Sequence, residues 1–264
     1  LNSSEMSEVW LKAWKDNLSR VGYTYYDKFF IRMSEYALSS LNPQRRKPRL
    51  LDIGCSFGDK TSAFHSAGFD SHGIDINCES IRSAKLNFPE CEFMVGNMED
   101  LPFDDCAYDF IFSANVMQYV NQAKVIEECY RVLADNGAAV FIENLKSNPI
   151  PRAYRYIQKL SGAVYPPFQI PKNYLTWKEL PIFNEYFRRV DIKPYYLISP
   201  VMLIIPAMDK FLSRQIKTNL VEKFSPDFGG NLFKSLSGID SWVLKKVPLF
   251  ARWGWMAVII ASGK

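Results

Sequence analysis

The spacing of apolar positions changes several times along the chain, and each change marks a predicted element. From residue 5 to 40, Trp10, Trp14 and Leu18, then Phe29, Phe30, Met33, Tyr36 and Ala37, recur every three or four residues, which predicts helix interrupted at Gly22. A polar linker, Gln44-Arg45-Arg46-Lys47-Pro48, follows. Arg49–Ile53 is then a short apolar run closed by Gly54, the pattern of a buried strand. Gly58–Ala67 predicts a helix ending at Gly68, Ser71–Ile76 a second strand, Cys78–Asn87 a helix stopped by Pro89, Cys91–Val95 a third strand and Tyr108–Ser113 a fourth. Ala123–Leu133 is amphipathic and is expected to end in a turn at Asp135-Asn136-Gly137, before a fifth strand at Ala138–Glu143.

After Asn144 the rhythm loosens. Pro149, Pro151, Pro166, Pro167 and Pro171 suggest an irregular cap with one helix at 152–160. The capping-box pattern Thr176-Trp177-Lys178-Glu179 predicts a helix running to Phe187. A strand is expected at Arg189–Ile198, helix near 201–223 and 239–246, and a last strand at Trp255–Ala261. Strands alternating with helices of about ten residues argue for an α/β fold, a mostly parallel doubly wound sheet with helices on both faces. Three segments follow: an N-terminal helical lid (1–47), a core (48–145), and a remainder (146–264) that completes the sheet within the same domain and carries the cap. Ligands of such sheets bind at the carboxyl ends of the strands.

Composition narrows the classes. With 48% hydrophobic and 23% charged residues the chain is globular, not disordered or fibrous. Its five cysteines (Cys55, Cys78, Cys91, Cys106, Cys129) form no CxxC pair, and only His65 and His72 could add imidazole, so neither a disulfide framework nor a metal site is expected. Leu1–Glu8 lacks the basic-then-apolar pattern of a secretory leader, and the longest apolar run, Leu197–Met208, is too short to span a bilayer. A reducing, cytoplasmic setting is expected. The net charge of +4 hides a split: residues 1–145 carry 14 basic and 21 acidic residues, residues 146–264 carry 18 and 7. The basic half suggests an anionic partner or surface, set against the plainer reading of solvated lysines.

The sharpest chemical signal joins Leu51-Asp52-Ile53-Gly54-Cys55-Ser56-Phe57-Gly58 to Gly73-Ile74-Asp75-Ile76. A strand runs into a glycine turn that opens a helix, and an acid ends the next strand, where it can accept both hydroxyls of a ribose. A dinucleotide loop would need a second glycine at Ser56, and a phosphate loop would need Gly-Lys-Ser/Thr where Gly58-Asp59-Lys60-Thr61 stands. Asp52 and Asp59 flank the loop and favour a cationic ligand.

Together with GIDIN, GNMEDLPF, YDFIFSANVMQYV and ECYRVLADNGAAVFIE, the LLDIGCSFG segment resembles the class I S-adenosylmethionine-dependent methyltransferases, in the branch acting on small molecules and lipids. The resemblance covers roughly residues 48–145 and implies the family's seven-stranded Rossmann-like sheet. It implies that Asp52, Gly54, Cys55, Ser56 and Gly58 hold the methionine part of the cofactor and that Asp75 takes the ribose hydroxyls. Ile76 would pack on adenine, Asn97 and Met98 would meet its edge and face, and Asn115 would line the sulfonium. The family more often has Asp at Asn97 and often His at Tyr119. Cys55 reads as a packing residue and His72 as structural. An N-terminal helix closing over the cofactor through Tyr25 or Tyr26 is a further expectation.

Methyl transfer needs alignment first, and a base only for a weak nucleophile. Tyr119 and Glu143 are the strand-end candidates for that base. Ser113-Ala114-Asn115-Val116 lacks the Asn/Asp-Pro-Pro-Tyr/Phe element of nucleobase amine methyltransferases, so no nucleic-acid partner is expected. Tyr154, Tyr156, Tyr165, Phe168, Tyr174, Trp177, Tyr195 and Tyr196, interleaved with Arg152, Arg155, Lys159, Lys172, Arg188, Arg189 and Lys193, suggest a hydrophobic, anionic, lipid- or carrier-linked acceptor and peripheral membrane contact. Two other readings stay open: a cofactor-binding subunit without activity, and a nicotinamide-dependent oxidoreductase.

Overall fold

The computed structural model describes residues 47–160, 173–201 and 226–264. The expected N-terminal helical lid, with Tyr25 and Tyr26, lies outside the described residues, as does almost all of the helix expected at 201–223.

Seven strands form one sheet: β1 (Arg49–Ile53), β2 (Asp70–Asp75), β3 (Glu92–Val95), β4 (Tyr108–Ala114), β5 (Leu133–Asn144), β6 (Arg189–Tyr195) and β7 (Met256–Ser262), in the order β3-β2-β1-β4-β5-β7-β6. The pairings β1–β2, β1–β4, β2–β3 and β4–β5 are parallel. At the far edge, Arg188 donates its N–H to Gly263 while Trp255 donates to Tyr195, so β6 and β7 run antiparallel. The expected seven-stranded, mostly parallel sheet is the one observed. The chain divides into two compact units. The first comprises Leu1–Glu143, Lys178–Ile192 and Val258–Lys264, the second Asn144–Trp177 and Lys193–Ala257.

In the first unit, helices α1 (Asp59–Ser66), α2 (Cys78–Asn87) and α3 (Gln122–Val132) link the parallel strands. Asn77 caps α2 by accepting from Glu79 and Ser80 N–H, and Asn121 caps α3 by accepting from Lys124 N–H. Phe64 of α1 packs edge-on against Phe69 and against Phe112 of β4, and Phe69 against Phe110, anchoring the first crossover to the central strands.

Three expectations are corrected. The turn at Asp135-Asn136-Gly137 lies inside β5, which enters the sheet at Leu133 opposite Tyr108 and takes up the surplus residues as an irregularity before Ala138 pairs with Phe110. The helix read from Thr176 to Phe187 is a 3-10 turn (Leu180–Ile182) followed by the short α5 (Phe183–Tyr186). Pro181, without an N–H, interrupts the longer pattern. The strand after Arg189 ends at Tyr195 because Tyr196 takes φ 63°.

In the second unit, α4 (Pro149–Leu160) follows β5, and α6 (Pro226–Lys246) is longer than the stretch read at 239–246; Gly229, Gly230 and Gly238 weakened that signal. The Asn148 amide donates to the carbonyls of Tyr196, Leu197 and Trp253. Tyr195, Tyr196 and Trp255, buried together, form part of this unit's core.

Candidate functional site

β1 and β2 each bring a carboxylate to the carboxyl edge of the sheet. Between them the chain folds back on β2: Gly54 and Cys55 N–H both donate to the Ile74 carbonyl, at 2.8 and 3.1 Å. Gly54 has φ 71°, and a Cβ on it would lie 2.5 Å from Val116 Cγ1 and 3.0 Å from Met98 Cε. Glycine is therefore demanded by the backbone angle and by the close approach of two other strand-end loops. Gly58, at φ 84°, caps α1 in the left-handed region.

Asp75 pins this loop. Its Oδ2 accepts the Ser56 N–H at 2.9 Å and its Oδ1 the Asn77 N–H at 2.8 Å, which holds Ser56 at φ 51°. A carboxylate offers about four lone-pair sites, so each oxygen keeps capacity for a further donor. The next residue, Ile76, is 75% exposed, an apolar side chain beside the acid. A tight glycine loop, an acid with spare lone pairs and an exposed apolar neighbour together suit an adenosyl group with a cationic tail.

Asp52 is 1% exposed, and its Oδ2 accepts from Thr61 Oγ1 at 2.7 Å. Burial raises its carboxyl to about 6, with Lys60 and the Thr61 hydroxyl working against the rise. Asp52 thus sits beneath the loop, out of reach of solvent. Removing its hydroxyl partner in Thr61→Val leaves a buried acceptor unsatisfied and is expected to destabilise the fold by about 1–3 kcal/mol. Thermal melts of Thr61→Val and Thr61→Ser check this: the valine variant should melt lower and the serine variant near the parent.

The loops after β3 and β4 are tied together. Asn97 is exposed, and its Oδ1 already accepts the Glu99 N–H at 3.0 Å, so the side chain is held within its own turn. Glu99 in turn accepts the Asn121 N–H at 2.7 Å. Arg131 of α3 donates to the Leu101 and Phe103 carbonyls and to Glu128 and Asp105, clamping the segment that follows Met98. Asn115 takes φ 59° and donates its N–H to Ile142, which turns the chain sharply out of β4.

The two acid–base candidates are placed differently. Tyr119, in the 3-10 turn Met117–Tyr119, is 56% exposed. Glu143 is buried under the β4 loop, where its Oε1 accepts the Val116 N–H at 3.2 Å. Burial raises its carboxyl to about 8, against the pull of backbone N–H groups led by those of Val116 and Met117. Cys55 packs with Ile81, Ala84, Phe88, Cys91 and Phe93, and burial pushes its thiol far up. His72 lies near Asp70, Glu92 and Tyr108, towards the amino-terminal ends of the strands, away from these loops.

The fold thus brings Gly54, Ser56, Asp75, Met98 and Val116 together, with Asp52 below and Glu143 under the β4 loop. Sequence reasoning missed Thr61, Glu99, Val116 and Arg131. Only Arg131 had a local signal, its spacing of three from Glu128.

Residues 51–141 match the family described as methyltransferase domain. The demethylmenaquinone methyltransferase of Chlorobaculum tepidum is 30% identical over 109 residues, 40% of this chain and 43% of that protein. The malonyl-[acyl-carrier protein] O-methyltransferase of Pectobacterium atrosepticum is 26% identical over 140 residues, 52% of this chain and 55% of that one. The chain therefore spans about half the length of these relatives. Among solved structures, the geranyl diphosphate C-methyltransferase of Streptomyces coelicolor superposes with a TM-score of 0.54 at 15% identity, covering 89% of this chain and 80% of that one, a likeness of fold. Domain match and motif order agree: residues 51–141 match a methyltransferase domain, and this segment is similar to the class I S-adenosylmethionine-dependent methyltransferases.

Proposed function

We propose that this chain transfers a methyl group from S-adenosylmethionine to O, N or C of a small, hydrophobic or lipid- or carrier-linked, anionic acceptor. The observation that carries the reading is Asp75: one carboxylate ties down the glycine loop while facing outward with unused acceptor capacity beside exposed Ile76. In this reading Asp75 holds the ribose hydroxyls, Ile76 and Met98 flank the adenine, and Asn97 presents its amide to the ring edge. The loop of Gly54, Cys55, Ser56 and Gly58 holds the amino-acid end. Asp52, from below, and Asn115, beside the sulfonium, complete the surround. When bound, the cofactor supplies an electrophilic methyl group for in-line displacement.

The protein's part is to hold donor and acceptor in line and to exclude water. Tyr119 is the candidate group for receiving an acceptor proton. Glu143 is protonated at neutral pH and braces the Asn115–Met117 backbone, which makes it a positioning residue. The acceptor class draws on the basic half of the sequence and on relatives whose names specify demethylmenaquinone and malonyl-[acyl-carrier protein]. Peripheral contact of that half with an anionic membrane belongs to the same reading.

Calorimetry with S-adenosylhomocysteine should give micromolar binding, and transfer from labelled S-adenosylmethionine should follow with lipid- or carrier-linked acids. No heat at millimolar ligand would overturn the reading. The alternative, a cofactor-binding subunit without activity of its own, draws on the burial and protonation of Glu143; turnover by the isolated chain excludes it.

A further inference from the structure

Helix α6 carries apolar residues on its exposed side as well as on its packed side, where Leu236, Val243 and Leu244 are half-buried. Its exposed positions, Ser235, Gly238, Ile239, Trp242, Lys245 and Lys246, fall three and four residues apart and form one stripe. The opposite stripe holds buried Ser237 and Asp240. Asp240 accepts from Ile198 N–H, Ser199 N–H and Ser199 Oγ at 2.8, 3.0 and 2.6 Å, so this helix docks through an acid and turns its isoleucine and tryptophan outward.

The outward apolar character continues past the helix. Among the described residues, five of the thirteen exposed large hydrophobics fall within 239–253: Ile239, Trp242, Val247, Leu249 and Trp253, with Trp242 and Leu249 both over 60% exposed. Such concentration marks an interaction surface, whereas singly scattered exposed apolar residues do not. Its charge has one sign. From residue 228 to 264 the sequence holds a single acid, Asp240, and that side chain is buried in the contacts just described. Lys245, Lys246 and Arg252 are exposed, and the Arg252 guanidinium lies 5.1 Å over the Trp253 ring.

We infer that residues 239–253 are a seat for an anionic lipid bilayer surface. Tryptophan and leucine enter the headgroup boundary while the lysines and arginine meet lipid phosphates. A second copy of this chain fits less well, because a twofold contact would set Lys245, Lys246 and Arg252 against their own kind. The inference deepens the membrane-contact part of the proposed function by naming its surface, and it does not depend on methyl transfer.

The test is flotation of the full chain with phosphatidylcholine vesicles, plain or containing about 30% phosphatidylglycerol. The chain should float with the anionic vesicles and remain behind with the neutral ones. Each lysine near such a surface accounts for about a fivefold change in partition, so Lys245→Glu/Lys246→Glu should weaken it by at least about 25-fold. Trp242→Ser, with charge unchanged, should also weaken partition and should reduce a vesicle-induced blue shift in tryptophan emission. No flotation of the parent, or flotation unchanged in both variants, overturns the inference. So does a dimer in sedimentation equilibrium that Trp242→Ser dissolves. S-adenosylhomocysteine binding, measured on the same preparations, reports separately on the methyltransferase reading.

Discussion

Asp75→Ala is expected to raise the dissociation constant for S-adenosylhomocysteine by at least about a hundredfold while leaving a cooperatively folded chain. Two contributions add. Each hydrogen bond from a ribose hydroxyl to a carboxylate is worth about 1.5 kcal/mol or more, and two of them account for roughly a factor of a hundred. The same substitution frees the Ser56 and Asn77 N–H groups, which now share one carboxylate, so the glycine loop loses the pin that holds Ser56 at positive φ. Both N–H groups are close enough to solvent for water to replace the lost acceptor, so the melting temperature should fall by only a few degrees. Asp75→Asn keeps one acceptor oxygen and should lie between, near tenfold. Calorimetry on the three proteins at one pH measures this. Equal affinities for parent and Asp75→Ala would remove the ribose role and with it the central support for the proposed activity.

The first three crossovers were legible because several independent local signals agree there. The helix Cys78–Asn87 has its predicted bounds, fixed by the Asn77 cap before it and Pro89 after it. The strand-end position of Asp75 could be read from the short spacing between the glycine turn and the next apolar run. Its grip on the Ser56 N–H could not, because nothing in a spacing says which way a carboxylate turns. Glu143 shows the same limit: an acid closing a strand was visible, but its burial under the β4 loop depends on Asn115 turning at positive φ, which asparagine permits without announcing. Thr61 and Asp52 lie nine residues apart on different elements and meet only after the β1–α1 turn is made. In the second half, glycine-rich helix and proline-broken turns blurred the periods. The outward tryptophan and inward aspartate of α6 depart from the amphipathic pattern on which such reading depends.

Glu143 also gives the stability of this fold a distinctive dependence on pH. Its carboxyl titrates near 8 in the folded chain, against an ordinary value of 4.5, because burial disfavours the carboxylate. Below 4.5 both folded and unfolded chains carry the proton, and the group contributes no difference. Between 4.5 and about 8 the unfolded chain releases that proton and the folded chain keeps it, so stability falls as pH rises, by about 1.4 kcal/mol per pH unit at most. Above 8 both forms are ionised and the loss levels off. Asp52, raised to about 6, adds a slope of the same sign that ends near that pH, so the decline from pH 6 to 8 belongs to Glu143. Glu143→Gln keeps an oxygen to accept the Val116 N–H and has no proton to lose. Urea midpoints followed by circular dichroism should therefore fall between pH 6 and 8 in the parent and stay level in Glu143→Gln, so the stability of the variant relative to the parent rises by about 2–3 kcal/mol over that range. Glu143→Ala also removes the charge but leaves the Val116 N–H without its acceptor, so it should be level in pH yet less stable than Glu143→Gln throughout. A parent midpoint that does not change from pH 6 to 8, or a fall of equal size in the glutamine variant, would show that the carboxyl ionises freely and does not brace the β4 loop in its neutral form.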